Sequence, residues 1–343
     1  MASRRRSTAV LVVLVLLVSA CTRTEPAARS VATSTPAPTP TPEPTPEPTV
    51  VVTDTRVTID ALVDAPFPLN IAHAGGDQTA PHSTMFAYTE AVDIGATVLE
   101  VDVQLTADGV LIVHHDDTVD RTTEASGPVG DLTLAEIQAL DNAYWFSPEC
   151  WPCQDRPEEE YIYRGVRTGE TPPPDGYGPE DFRVVTFAEL VERFPDHPFD
   201  IEIKGGFPDG FATAVELAEQ IELLEITDNV VVVSFDDAVL RTFETIAPEV
   251  ETSPGTDELT NWFLLDQPLE GDHRIVQVPP EFSGIPVLTD DFWAKAERDG
   301  LEVWVWPNDA ATQENQAFYQ QLIAQGADGV IAGRPNEMAA ATL

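Results

Sequence analysis

Two short apolar stretches of the sequence carry acidic residues at alternate positions. Glu100 and Asp102 lie two residues apart in VLEVDVQ, and Asp200, Glu202 and Lys204 alternate in the same way in FDIEIK. Because side chains at i and i+2 of a β-strand share a face, each stretch predicts acids on one side of a buried strand and aliphatic side chains on the other. Buried carboxylates are costly unless a cation or a proton compensates their charge. Converging carboxylate oxygens suit a hard divalent ion, Mg2+ or Ca2+.

A purely structural interpretation of these acids stays open at this point. In that alternative, the carboxylates form buried ion pairs with Lys204 and Arg121, and no metal is involved.

Histidines stand at the ends of two further strand-like runs. His73 ends the run in LNIAHAGG, and His114 and His115 end VLIVHH. Neighbouring side chains of an extended strand face opposite ways, so at most one of His114 and His115 can enter a site. A histidine titrates near neutrality and can transfer protons in catalysis. Gly75 and Gly76 behind His73 predict a backbone that approaches a ligand closely.

The elements that would position these residues alternate regularly along the chain. From Ile71 onward about nine Val- and Ile-rich runs are interleaved with helical patterns such as TFAELVERF and FATAVELAEQIELL. This alternation predicts an α/β fold, a closed (β/α)8 TIM-type barrel, whose active site lies at the carboxyl ends of the strands. TADG, between VDVQL and VLIVHH, is too short for a helical crossover. One of the nine runs is therefore predicted to be a hairpin partner.

A long irregular segment, about residues 116–183, interrupts the alternation and is rich in Pro, Gly, Tyr and acids. We expect this insertion to lie over the mouth of the barrel. It contains Cys150 and Cys153, which predict a small disulfide loop in an oxidising compartment. A redox or zinc motif is the alternative for this pair.

The first residues of the chain predict export and attachment to a membrane. Residues 1–20 combine three arginines with an apolar stretch and read as a signal peptide, and VSAC, which ends at Cys21, resembles a bacterial lipobox. That resemblance implies lipidation of Cys21 and an extracytoplasmic protein anchored to the bacterial cell membrane. Residues 22–60 form a Pro- and Thr-rich linker, and residues 61–343 form the predicted barrel domain. The alternative is an ordinary cleaved signal with an incidental cysteine.

The charge of the chain limits its partners. Loss of the three signal-peptide arginines from 18 Lys and Arg leaves 15 against 59 Asp and Glu, a formal charge of -44. Nucleic acid is disfavoured as a partner because phosphate binding needs a basic surface. A phosphate site in such a field needs its own positive charge, most simply a metal ion.

Five motifs together resemble a known enzyme family. IAHAGG, LEVDVQLTADGVLIVHHDDTVDRTT, DIEIK, SF and GADGVIAGRP, in this order, are similar to the glycerophosphodiester phosphodiesterases of the phosphatidylinositol-phospholipase-C-like barrels, from about Leu69 to Met338. The resemblance implies metal ligation by Glu100, Asp102 and Glu202, and contact of Lys204 with the phosphate. It also implies an acid–base pair of His73 and His115, and selects His115 over His114. The residues do not assign the two proton transfers, and our working hypothesis gives the leaving group to His115.

The chain departs from the family pattern at three places, the third of which is VWVWPND, where the family has Trp-x-x-Asn. It has His73-Ala74-Gly75 where the family has His-Arg-Gly, and Pro81-His82-Ser83-Thr84 where the family has Pro-Glu-Asn-Thr. The missing arginine would remove a charge-assisted phosphate contact, which a protonated His82 would replace in part. A surface turn or cap is the alternative for that segment. In VWVWPND, one of Trp304 and Trp306 is expected at the barrel mouth and the other against helices, and Trp306 is taken as substrate-binding.

The predicted function is metal-dependent hydrolysis of glycerophosphodiesters to an alcohol and sn-glycerol 3-phosphate. The expected partner is a small-molecule or lipid-derived phosphodiester, and the residues do not indicate an oligomeric state. Three alternatives remain: a phospholipase-D-like activity on lysophospholipid or sphingolipid, a non-catalytic phosphodiester-binding lipoprotein, and a glycoside hydrolase that uses paired carboxylates. The last leaves the two histidines and Lys204 without a role.

Overall fold

The strands of the protein follow the predicted alternation with helices. The computed structural model describes residues 56–63, 65–66, 68–148, 153–206 and 208–343. Its strands are β1 (Leu69–Ala72), β2 (Val98–Leu105), β3 (Leu111–Val113), β4 (Phe199–Ile203), β5 (Val230–Val233), β6 (Glu251–Thr252), β7 (Ile275–Val278), β8 (Glu281–Phe282), β9 (Ile285–Pro286), β10 (Glu302–Val305) and β11 (Gly329–Ala332).

The helices lie between these strands and at both ends of the series. They are α1 (Ile59–Val63), α2 (Met85–Ile94), α3 (Leu134–Ala139), α4 (Phe187–Arg193), α5 (Asp209–Leu223), α6 (Asp237–Ile246), α7 (Thr256–Leu265), α8 (Asp290–Asp299), α9 (Gln316–Gln325) and α10 (Pro335–Ala341). Among the described helices, none combines the length and the apolar character that a membrane crossing requires.

Eight of the strands form a nearly closed parallel barrel with helices around it, which confirms the predicted fold. Their order is β6-β5-β4-β2-β1-β11-β10-β7. β3 is the predicted hairpin partner: it pairs with β2 in antiparallel orientation, with Val103 opposite Val113. The β8–β9 hairpin, by contrast, was not anticipated from the sequence.

Side chains bridge the seam between the two end strands of the barrel, β6 and β7. An Arg274 guanidinium nitrogen lies 2.7 Å from the carboxylate of Glu251. Nδ1 of His273 lies 2.9 Å from the carbonyl oxygen of Thr252, to which it can donate. These contacts join the residues before β7 to β6 where the regular ladder of the sheet is interrupted.

The interior of the barrel is apolar at its amino-terminal end. Inward side chains from β1, β2, β5, β7, β10 and β11 pack together with Ile59 and Leu62 of α1, which lies against this end. Trp304 belongs to this interior cluster, and its ring fits against the bare Cα of Gly329. The expectation that Trp304 and Trp306 face opposite sides is therefore wrong, because residues two apart on a strand share a face.

Helix α1 spans the predicted end of the linker. α1 starts at Ile59, and its Ile59 and Leu62 side chains are buried in the barrel cluster. The predicted boundary at residue 60 thus falls within α1, and its placement stays a prediction. The signal peptide, Cys21 and most of the linker lie outside the described residues.

Part of the insertion packs against α2. Phe182 stacks on Phe86 of α2 with ring centroids 4.7 Å apart, and the Tyr177 hydroxyl donates to Glu90 at 2.6 Å. The aromatic side chains of the segment find their apolar partners on α2, and Asp116 and Arg121 near its start contact His115. For the rest of the segment, the position over the mouth stays a prediction. Cys153 is disulfide-bonded. Its expected partner Cys150 lies outside the described residues, so that pairing stays a prediction.

Candidate active site

The register of two neighbouring parallel strands brings the acids together. Glu100 of β2 lies opposite Asp200 of β4, and Asp102 lies opposite Glu202. The intervening residues Val101 and Ile201 belong to the core between sheet and helices, as the alternation of apolar and acidic residues predicts. Two layers of carboxylates therefore point into the barrel near the carboxyl ends of its strands.

Three of these acids are close enough to share one ion. Glu100, Asp102 and Glu202 each offer a carboxylate oxygen, and the three oxygens lie within 4.8 Å of one another. Burial, and secondarily the charge of Asp102, raises the pKa of Glu100 well above its usual range; burial also raises the pKa of Glu202. The Oδ2 atom of Asp102 is buried and has no hydrogen-bond partner among the described residues. An all-oxygen set with a buried acceptor left over fits a hard divalent cation.

Lys204 lies directly beside this carboxylate group. Its Nζ is 2.8 Å from Oδ1 of Asp102 and 3.0 Å from Oε1 of Glu202. Burial alone would disfavour the charged form of Asp102, but Lys204, followed by His115 and His73, outweighs burial and lowers the pKa of this carboxyl to about 2. The structure thus contains the Lys204 ion pairs of the structural alternative, whereas Arg121 pairs with a different acid, Asp116.

His73 is the first residue of a tight turn after β1. The turn spans His73–Gly75 with Ala74 at φ 46°, and the Ala74 N–H donates to Oε2 of Glu100 at 2.5 Å. Nδ1 of His73 lies 3.3 Å from Oδ1 of Asp77. Burial lowers the pKa of His73, but the charges of Asp77 and Glu100 outweigh it and raise the pKa to about 10.

The two glycines after His73 pack closely against helices, and the close approach of their backbone to a ligand stays a prediction. A Cβ on Gly75 would lie 3.0 Å from Cβ of Ala87 in α2, and one on Gly76 would lie 2.9 Å from the Pro335 ring. Both glycines also have positive φ, 84° and 91°. The turn therefore needs glycine at these positions both for its backbone conformation and for its close contacts with α2 and α10.

His115 enters the site from the other side, and His114 does not. The rings of His73 and His115 are in edge contact, with centroids 5.4 Å apart. His115 places Nδ1 2.7 Å from Oδ1 of Asp116, which Arg121 also binds. His114 is fully buried beside the mouth, with Nδ1 2.9 Å from the Asp116 carbonyl oxygen.

His82 cannot replace the missing arginine as a cation. It is only 1% exposed, with Nδ1 2.8 Å from the Ser83 hydroxyl and Nε2 3.3 Å from Arg121. Burial, and secondarily the Arg121 guanidinium, holds the pKa of His82 well below its usual range. Its segment is a turn that leads into α2, as expected in the alternative, but the turn is buried instead of lying on the surface.

The two site histidines, two of the acids and Lys204 form the floor of a cavity of about 530 Å3. His73, Glu100, His115, Glu202 and Lys204 line its polar end, and its other walls are mainly apolar. Trp306 lines the cavity, as predicted, and contacts the Phe235 ring edge-on with centroids 5.7 Å apart.

Sequence reasoning missed the partners that hold the two histidines. Asp77 lies four residues after His73, with two glycines between them. In an extended chain this spacing would not predict contact between the two side chains. Asp116 directly follows His115, and the HDD sequence was a visible signal for a carboxylate at this position. The apolar walls of the cavity were also missed, because α7 and the β8–β9 hairpin had not been identified.

Comparison with known proteins supports the assignment made from the motifs. The family model described as "Glycerophosphoryl diester phosphodiesterase family" matches residues 73–337. A glycerophosphodiester phosphodiesterase from Caldanaerobacter subterraneus is 29% identical over 275 residues, which are 79% of this chain and 96% of that relative.

Solved structures of similar proteins share the fold. A glycerophosphodiester phosphodiesterase from Agrobacterium tumefaciens superposes with a TM-score of 0.57 at 23% identity, over 80% of this chain and 99% of that one. A phosphodiesterase from Oleispira antarctica, solved with the product sn-glycerol-3-phosphate, gives 0.59 at 20% identity, over 80% and 96%. Since the family model covers more than half of the sequence, the chain belongs to the glycerophosphoryl diester phosphodiesterase family and is a phosphoric diester hydrolase.

Proposed function

We propose that this enzyme hydrolyses glycerophosphodiesters to an alcohol and sn-glycerol 3-phosphate, with a divalent metal and two catalytic histidines. The observation that carries the proposal is the convergence of two contacting imidazoles, one lysine and the carboxylates of Glu100 and Glu202 on the floor of a single cavity, with the buried Asp102 carboxylate directly beside them. A binding protein would have little reason to keep two histidines that are each held by a carboxylate.

Glu100, Asp102 and Glu202 would hold the ion. Their oxygen-only donor set favours Mg2+ or Ca2+ over ions that prefer nitrogen or sulfur ligands. A bound divalent ion supplies a Lewis acid next to the phosphoryl oxygens. The three buried acids favour such a cation, since their mutual repulsion raises the cost of ionising them together.

Lys204 binds the phosphate in this proposal. Lys204 lines the cavity floor and its ammonium group contacts the carboxylates of Asp102 and Glu202, so it is held in place before substrate arrives. Cleavage of a phosphodiester places more negative charge on the phosphoryl oxygens, and a fixed cation stabilises that charge where it develops. Ala74 offers no cation at the family's arginine position, so Lys204 carries more of this binding.

The histidines transfer the two protons. In each ring Nδ1 faces a carboxylate, Asp77 for His73 and Asp116 for His115, which leaves Nε2 as the nitrogen that exchanges a proton with substrate or water. We assign the proton of the leaving alkoxide to His115 and activation of the attacking water to His73. The second role needs the unprotonated ring of His73. A divalent cation held by Glu100 would favour that form, because it would offset part of the negative charge that raises the pKa of His73.

The location is part of the proposal. We place the domain outside the cytoplasm, held to the membrane by lipid on Cys21, because of the lipobox-like VSAC and the Pro-rich segment after it. Expression of wild-type protein and Cys21→Ser in a bacterial host tests this placement. Wild type should fractionate with membranes and take up labelled fatty acid, and equal labelling of the variant would contradict lipidation at this cysteine.

The test of the activity is product identity. Wild-type protein incubated with glycerophosphocholine should release choline and sn-glycerol 3-phosphate, measured by an enzyme-coupled assay and by 31P NMR. Glu100→Gln keeps the shape of the side chain and removes its charge, and should lower kcat/KM at least about 100-fold. Binding of glycerophosphocholine without turnover would instead support a non-catalytic binding lipoprotein.

A further inference from the structure

We propose that the apolar part of the cavity binds the hydrocarbon chain of the substrate, so that this enzyme acts on single-chain glycerophospholipids in preference to fully water-soluble glycerophosphodiesters. The inference rests on the proposed function and names the substrate class of the same site. It follows from the composition of the cavity walls, their continuity with the catalytic floor and the exposed apolar rim.

The walls of the cavity come from elements that the chemistry does not use. α7 contributes Leu259, Phe263 and Leu264 on one side. The β8–β9 hairpin contributes Phe282 and Ile285 on the other. The groove between them starts at the histidines and carboxylates and opens to solvent.

Polar and apolar groups are separated within this cavity. The titratable groups among its lining residues are His73, Glu100, His115, Glu202 and Lys204, all at the floor. The polar residues farther along the walls are few and uncharged, such as Thr256 and Thr260. A glycerol or sugar in the groove would lose water without gaining enough hydrogen bonds, whereas a hydrocarbon chain would gain from leaving water.

The rim of the groove is unusually apolar for a surface. Leu264 is 51% exposed, Phe282 38% and Ile285 46%, and Phe235 is 51% exposed across the opening. Leu265, next to Leu264, is 61% exposed. Clustered exposed apolar side chains at a cavity mouth mark a binding surface, and here the cluster extends the path of a chain that leaves the groove.

The bond that is cleaved determines which product keeps the chain. Water adds across the phosphorus–oxygen bond to the head group, its oxygen bonding to phosphorus, and the head-group alcohol leaves with one proton. The acyl chain on the glycerol does not react, so an acylglycerol phosphate is the second product. The groove therefore holds substrate and product by the same chain while the head group changes.

The test compares two substrates that differ by one acyl chain. Dodecanoyl-lysophosphatidylcholine, kept below its micelle concentration, and glycerophosphocholine are assayed for choline release with wild-type protein. We expect kcat/KM to be at least about tenfold higher for the lysolipid, since each buried methylene is worth about a three- to fourfold gain. Equal or better use of glycerophosphocholine would overturn the inference.

Variants of the groove locate the effect. Leu264→Asn and Phe282→Asn change exposed side chains, so the fold should tolerate them, and each should lower the ratio of the two kcat/KM values about fivefold or more. Leu223→Asn is the matched control, because Leu223 is 80% exposed on α5 and does not line the cavity. An unchanged ratio in both groove variants would contradict the proposed chain site.

A binding measurement separates this inference from the proposed function. If neither substrate is cleaved, the proposed activity fails, but the groove can still be tested by calorimetry with octyl-, decyl- and dodecylphosphocholine below their micelle concentrations. Affinity that rises with chain length in wild type, and rises less in Leu264→Asn, supports the chain site. Affinity independent of chain length overturns it.

Discussion

At the scale of single residues, the acids were predictable and the partners of the two histidines were not. Glu100, Asp102 and Glu202 could be predicted, because acids at every second position of an aliphatic run must all lie on one face of the strand. Asp77 and Arg121 lie in turns and loops that bring them to the histidines. These contacts could not be predicted, because the geometry of a turn leaves no periodic pattern in the sequence. The burial of His82 depends on the insertion as well, since Asn142 donates to its carbonyl oxygen at 3.0 Å.

The assignment of the two histidines gives a prediction that depends on the leaving group. Removal of a general acid costs about 10²–10⁴ in rate for a poor leaving group, but little for one that leaves without a proton. We expect His115→Ala to be strongly impaired on glycerophosphocholine and nearly active on glycerophospho-p-nitrophenol. His73→Ala should be impaired on both.

Steady-state rates on the two substrates check this assignment, and His197→Ala, which changes a half-buried histidine before β4, is the control. If His73→Ala were nearly active on glycerophospho-p-nitrophenol and His115→Ala were inactive on both substrates, the two roles would be reversed.

At the scale of elements, the strands were easier to predict than the walls of the cavity. The short TADG connection was enough to predict the β2–β3 hairpin, because a turn of this length admits only antiparallel neighbours. α7 was not predicted, because the four apolar residues at its end, Trp262-Phe263-Leu264-Leu265, show no helical periodicity. β8 and β9 have two residues each, too few for a period of two to be seen.

The turn after β1 gives a prediction about stability. Gly75→Ala should lower the free energy of unfolding by about 2–4 kcal/mol, because Ala at positive φ costs about 1–2 kcal/mol and its Cβ would meet Ala87 of α2 at 3.0 Å. Gly109→Ala is the matched control: Gly109 also has positive φ, 77°, but no atom lies within 4 Å of its added Cβ. Urea unfolding compares the two, and equal losses would show that packing against α2 adds nothing.

At the scale of the whole molecule, an acidic protein surrounds a site that must bind a phosphodiester anion. With 59 acidic against 18 basic residues, the chain repels anions at long range. The site offsets this locally with Lys204, with Arg121 beside His115 and, in our proposal, with a divalent ion. The proposed chain site would add attraction that does not depend on charge.

The account depends most on the claim that Glu100, Asp102 and Glu202 hold a divalent ion needed for hydrolysis. Protein stripped with EDTA and dialysed should lose glycerophosphocholine hydrolysis. Calorimetric titration with Mg2+, and separately with Ca2+, should show one ion bound per chain, with activity restored in parallel by at least one of them. Asp102→Asn should lose both the binding and the restoration. Full activity of the stripped protein, or one ion still bound by Asp102→Asn with unchanged affinity, would contradict the account.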